Sequence, residues 1–116
     1  MKLRTLTKEA YERLSQYEQV LKKQNRGYGL AFIEADSKIF AVPLRSNLNH
    51  PYGFKTIFIP EDKAWNGLDY TKAIVIQNAD LNKEAFKPRS QKEYDKIQKN
   101  KEKISNEFIV AHRRFR

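Results

Sequence analysis

The segment IFAVPLRSNLNHPYGFKTIFI, residues 39–59, decides how the rest of the chain is read. An apolar, strand-like run stops at Pro43 and gives way to Arg45, Ser46, Asn47, Asn49 and His50; a second apolar run resumes at Phe54. Reversing a chain takes a Gly or an Asn, so a loop with this many donors carries more hydrogen-bonding equipment than turn geometry requires. Two strands joined by a chemically rich loop are the expectation.

Working outward, GYGLAFI (27–33) reads as a strand, Glu34–Ser37 as a four-residue polar turn and Lys38–Pro43 as the return strand of a hairpin. Before it, Ala10, Leu14, Tyr17 and Leu21 recur at spacings of four, three and four, one face of a helix from Thr7 to about Lys23. After it, Phe54–Ile59 is a third strand, Pro60–Gly67 a connecting loop, and Asp69–Ile76 a strand whose apolar run suits a two-sided position. Asn82–Phe86 reads as a helical turn cut off by Pro88. Ser90 followed by Glu93 is a capping box ahead of one long helix with Tyr94, Ile97, Ile104, Phe108 and Ala111 along its apolar line; Lys101 interrupts that line and is expected to snorkel. Helix, at least four strands and helix imply α+β, with a compact, twisted antiparallel sheet curling into a barrel between an N-terminal and a long C-terminal helix.

A chain of 116 residues accommodates one domain, here taken as residues 1–116. The formal charge is +9, divided as about +5 and about +4 between the halves, so an anionic partner would touch the folded body rather than a detachable tail. The absence of cysteine excludes a disulfide framework, a thiolate nucleophile and a Cys-based zinc site, and fits a reducing compartment, with the cytoplasm as the expected location. Charges break every apolar run, so neither a signal peptide nor a membrane span is expected.

Arg45, Ser46, Asn47, Asn49, His50, Lys55 and Thr56 fall within twelve residues. Two readings stand side by side. Either the loop amides, the Ser46 hydroxyl and the Arg45 guanidinium converge on a phosphate, or the short polar side chains satisfy loop backbone groups while Arg45 pairs with a carboxylate. His50 suits acid–base work near neutral pH, a phosphate contact or loop filling. His112, between Ala111 and Arg113, reads as a surface residue. No HExxH, His pair or DxD pattern marks a metal site, and no cofactor is expected. A nuclease of this composition would work on RNA, whose 2′-OH supplies the nucleophile. Donors placed around the phosphate then matter most, each worth about 3 kcal/mol in a preorganised site. Of the aromatics interleaved with basic residues, Tyr28 and Tyr52 are the ones expected at the surface for stacking on bases.

The run YGLAFIEADSKIFAVPLRSNLNHPYGF (28–54), followed by GLDYTKAIVI (67–76), resembles the toxins of type III toxin–antitoxin systems. It is closest to the TenpN group and more distantly similar to the ToxN and AbiQ toxins, over roughly residues 1–112. The resemblance implies a metal-independent endoribonuclease on a barrel-like sheet similar to PemK and MazF toxins. It also implies a small repeat-encoded pseudoknot RNA as antitoxin, assembling with several toxin copies into a ring. In the ToxN toxins a strand-end Pro-Leu-Thr-Ser motif carries the functional serine. Ser46 matches it, and Arg45 stands in place of the threonine. The family's lysine two residues after that serine is Leu48 here, leaving its role to His50, Lys55 or Lys72. The catalytic candidates are therefore Ser46, Arg45, His50 and Lys55, with Arg26, Tyr28, Asn47, Asn49, Tyr52, Thr56, Lys72, Lys87 and Arg89 as RNA contacts.

Overall fold

A computed structural model describes residues 1–15, 29–86 and 90–115. Six strands form one antiparallel sheet: β1 (Leu3–Arg4), β2 (Leu30–Ala35), β3 (Lys38–Arg45), β4 (Gly53–Ile59), β5 (Ala64–Asp69) and β6 (Ile74–Ile76). Among the described residues three helices accompany it: α1 (Lys8–Ser15), α2 (Gln91–Lys99) and α3 (Lys101–Phe115). The α+β class and antiparallel sheet agree with the expectation. The strand order is β1-β2-β3-β5-β4, with β6 also paired to β3.

Strand β3 organises the sheet because it changes partner along its length. Ile39–Ala41 pair with β6, whereas Leu44 and Arg45 pair with Leu68 and Gly67 of β5. Pro43 lies between the two stretches. The Leu44 amide bonds Gly29 on the β2 side, so by strand alternation the missing Pro43 N–H falls on the opposite side, where one ladder ends and the other begins. A proline inside a strand is tolerated at such a break.

Alternation also accounts for the two cores. Phe40, Val42 and Leu44 of β3, with Ala31 and Ile33 of β2, face Ile97, Ile104 and Phe108 of the C-terminal helices. Ala41, Leu30, Ile74 and Ile76 face Leu6 and Ala10 on the other side. The long apolar runs of β2 and β3 thus reflect strands buried on both faces.

Several local expectations are corrected. The β2–β3 turn has two residues, Asp36 and Ser37, both with positive φ (52° and 61°), the primed geometry that matches strand twist. Residues 64–67 belong to β5, because Trp65 packs edge-on against Phe58 at 5.6 Å; only Pro60–Lys63 turns the chain. Asp69–Ile76 is not one strand. It is split by a 3-10 turn, Tyr70–Lys72, whose first amides Asp69 caps. Residues 82–86 are not helical, and the short strand β1 had no periodicity to reveal it. Ser90 does cap α2, its hydroxyl accepting from the Glu93 amide at 3.2 Å. The long helix, however, breaks at Asn100, whose side chain turns back on the Lys96 carbonyl at 2.8 Å, a competition with the backbone typical of Asn. Lys101 starts α3 and is exposed. The N-terminal helix is described to Ser15; its continuation to Lys23 lies outside the described residues. No helix among the described residues is long and apolar enough to cross a membrane.

Candidate nucleic-acid interface

Arg45, Gly67 and Lys55 occupy one register row across β3, β5 and β4. Directly paired residues of antiparallel strands project to the same face, so two cationic side chains flank a glycine, with their backbones two strand spacings, about 10 Å, apart. Gly53, paired with Asp69, lies in the next row of that face. The glycines leave a slot, and Leu48 fills it. A Cβ on Gly67 would come within 2.6 Å of Leu48 Cδ2, and one on Gly53 within 2.8 Å. The Leu48 amide also bonds the Trp65 carbonyl at 2.7 Å. Asn47, with φ of 56°, supplies the left-handed residue that turns the chain down into this seat, a conformation Asn accepts more readily than most residues.

The loop is therefore clamped to the β4–β5 hairpin by its one apolar residue, and its polar residues are left outward. Ser46, Asn47 and Asn49 are exposed. The Ser46 hydroxyl has no hydrogen-bond partner among the described residues.

Beneath the loop sits Asp69, 0% exposed. Its Oδ1 accepts from the Thr71 amide at 3.0 Å and the Thr71 hydroxyl at 2.6 Å, and its Oδ2 from Arg45 Nη1 at 3.0 Å. His50 Nε2 lies 3.2 Å from Oδ1. Burial alone would push the carboxyl's pKa up. The bonds from Thr71, Arg45 and His50, with the His50 charge, outweigh it and hold the group below its ordinary 3.8. His50 Nδ1 in turn accepts from the Tyr52 amide at 3.1 Å. With Nδ1 bonded by the Tyr52 amide and Nε2 close to Asp69, both ring nitrogens are engaged and the imidazole acts as a strut.

Arg45 is half-committed: one Nη binds Asp69 and Nε reaches the Ser46 carbonyl at 3.4 Å, while 35% of the side chain is open to solvent. Arg45 thus pairs with a carboxylate and still presents a guanidinium edge to solvent.

Of the other candidates, Lys55 and Lys72 are exposed, Lys72 on the turn that Asp69 caps, and Tyr52 is 43% exposed beside His50, ring centroids 6.0 Å apart. Thr56 is a correction. It is 2% exposed, and its hydroxyl donates to the Asn66 carbonyl at 3.0 Å and to the buried Glu93 carboxylate of α2. It shares the inner face with Phe54, opposite Lys55, and cannot reach RNA. Arg26, Tyr28, Lys87 and Arg89 lie outside the described residues. Asp69, the centre of the cluster, escaped the sequence reading. The available signal was its position two residues before Thr71, the spacing of a carboxylate that caps a turn.

The sequence matches no protein-family model and no curated protein. A solved structure described as "A processed non-coding RNA regulates a bacterial antiviral system" is similar to 97% of this chain and 85% of its own, with a TM-score of 0.69 at 16% identity. The chain shares that fold. The match spans nearly all of the sheet and helices that carry the loop and its carboxylate.

Proposed function

We propose that the protein, as one domain over residues 1–116, is the toxin of a type III toxin–antitoxin system: a metal-independent, sequence-selective endoribonuclease inhibited by a small repeat-encoded pseudoknot RNA, with which it assembles into a multimeric ring. On this reading the sheet closes in the PemK and MazF manner, and the toxin acts on cellular or phage RNA in the cytoplasm. The observation that carries it is the exposed Ser46 hydroxyl, unpaired among the described residues, next in sequence to the half-open Arg45 that Asp69 holds. The shared fold supports an RNA partner, since the similar structure belongs to a system that a non-coding RNA regulates.

In this mechanism the phosphodiester lies along the outward face of the loop that Leu48 seats on the glycine row, within reach of Arg45 and Lys55. The 2′-OH attacks phosphorus, the P–O5′ bond breaks, and the products are a 2′,3′-cyclic phosphate and a 5′-OH. Arg45, Lys55 and Ser46 neutralise the charge that develops on the non-bridging oxygens. Asn47, Asn49, Tyr52 and Lys72, with Arg26, Tyr28, Lys87 and Arg89, hold the flanking strand. His50 exchanges a proton with RNA only after Nδ1 releases the Tyr52 amide; otherwise Lys55 or Lys72 supplies that step.

Ser46→Ala tests the assignment. The residue is exposed and its hydroxyl makes no internal bond, so the fold should persist while RNA cleavage falls by about 100-fold or more. A folded variant that cuts RNA at the wild-type rate removes Ser46 from the reaction. The engaged state of both His50 nitrogens favours a second reading, a non-catalytic RNA-binding module on the same surface. Labelled RNA incubated with wild-type protein in EDTA separates the two: only the nuclease yields shortened fragments ending in cyclic phosphate.

A further inference from the structure

A pocket of about 420 Å³ opens beside the loop, lined by Phe40, Tyr52, Tyr70, Thr71, Phe108 and His112 among others. Two wall residues belong equally to the polar cluster: Thr71 bonds Asp69, and Tyr52 bonds His50. The pocket and the loop are thus adjoining halves of one surface. His112, expected at the surface, is part of an aromatic stack instead. Its ring lies parallel to Phe108 (12°, 5.8 Å between centroids) and tilted against Phe40 at 4.7 Å. Tyr70 meets Phe108 edge-on at 6.0 Å.

We infer that this pocket takes a purine base of the RNA whose phosphate the Arg45–Ser46 loop holds, an inference that rests on the reading of that loop as a phosphate site. The argument has three parts. Tyr52, 43% exposed, and the partly exposed His112 offer ring faces on which bases stack, above a floor of buried Phe40, Tyr70 and Phe108, and the volume falls within the roughly 300–1,000 Å³ typical of small-molecule sites, leaving room for a bicyclic base. The shared wall places the recess next to the proposed phosphate, where the base of the same or a neighbouring nucleotide would fall. Finally, His112 Nε2 is 3.8 Å from the Asp36 carboxylate, too long for a hydrogen bond, so that contact leaves the imidazole free to receive a base on its open face. The pocket is where base preference would be set, while the loop sets the position of the cut.

The protein's two histidines report separately on the two halves, His50 at the loop and His112 in the pocket. Proton NMR of the full chain, with the His112→Ala variant assigning the signals, is titrated with adenosine, 5′-AMP, 5′-UMP and ribose 5-phosphate. Adenosine and AMP should move the His112 ring protons upfield by stacking, UMP less so, and ribose 5-phosphate should move His50 alone. AMP affinity should fall about 5- to 150-fold in His112→Ala, the span of one base–aromatic contact, with ribose 5-phosphate binding unchanged. His112 signals that stay fixed at saturating AMP overturn the pocket while leaving the loop intact. A His112 response to adenosine with His50 indifferent to every phosphate upholds the pocket and refutes the loop.

Discussion

Replacing Asp69 by Asn tests the physical core of the site. The carboxylate is fully buried and receives two bonds from Thr71, one from Arg45 and a close approach from His50. The amide keeps the shape and one acceptor oxygen for Thr71, but it turns an NH₂ toward the donors of Arg45. Hydrogen bonds to charged groups contribute about 1.5–3 kcal/mol each. Partial exposure of Arg45 lowers its share, so a loss of about 2–4 kcal/mol is expected at pH 7. For a domain of this size that is on the order of 10–20 °C in melting temperature. The pH dependence has a definite sign. Because the native pKa of Asp69 is depressed, its contribution is present above the ordinary value of 3.8 and is lost as pH falls through the native value. The gap between wild type and variant, measured by urea unfolding from pH 7 downward, should therefore narrow only below about pH 4. Asp80, held low by the Gln77 amide and Arg13 against its burial, adds an acid slope common to both proteins and cancels in the difference. A variant within about 0.5 kcal/mol of wild type at pH 7, the range of neutral surface changes, would refute Asp69 as the anchor of the loop.

The remaining expectations concern the loop's seat. Gly67→Ala puts a Cβ 2.4 Å from the Phe54 carbonyl and 2.6 Å from Leu48 Cδ2, and should cost about 1–3 kcal/mol by overpacking, read in the same unfolding assay; a neutral outcome means the loop does not rest there. Leu48→Lys, which places a lysine two residues after Ser46, should destabilise the fold and, on the proposed function, leave cleavage unimproved, because the position is a buried plug. A stable, more active Leu48→Lys enzyme would contradict the packing. Thr56→Val should lower stability by about 1–3 kcal/mol by stranding the Glu93 carboxylate, with RNA affinity per folded molecule unchanged; selective loss of affinity would return Thr56 to the RNA surface.

How far the sequence could be read depended on where each residue's partners lie. The β2–β3 hairpin was legible because long apolar runs need only burial, and the Ser90 cap because its partner is three residues away. Residues 64–67 were not, because Asn and Gly suggest a loop until Phe58 and Lys96 supply the neighbours that make Trp65 a strand residue; the Lys96 ammonium lies 5.3 Å from the indole centroid. The loop stood out through its surplus of polar groups. Leu48 was noted there only as the place of a missing lysine, since nothing local shows that two glycines from distant strands open a slot beneath it. Asp69 was hidden for the same reason: Arg45, His50 and Asp69 converge only when β3 and β5 pair. Thr56 could have been placed by alternation alone, since it shares a face with Phe54.

The change of partner along β3 has a mechanical consequence. Only the pairs Leu44 with Leu68 and Arg45 with Gly67 join β3 to the β4–β5 hairpin, so the sheet has a narrow seam, and Arg45 sits on it. A polyanion laid from Arg45 to Lys55 bridges both banks of that seam. Occupancy would brace the molecule against prying apart, so on the proposed function a bound RNA would double as a splint.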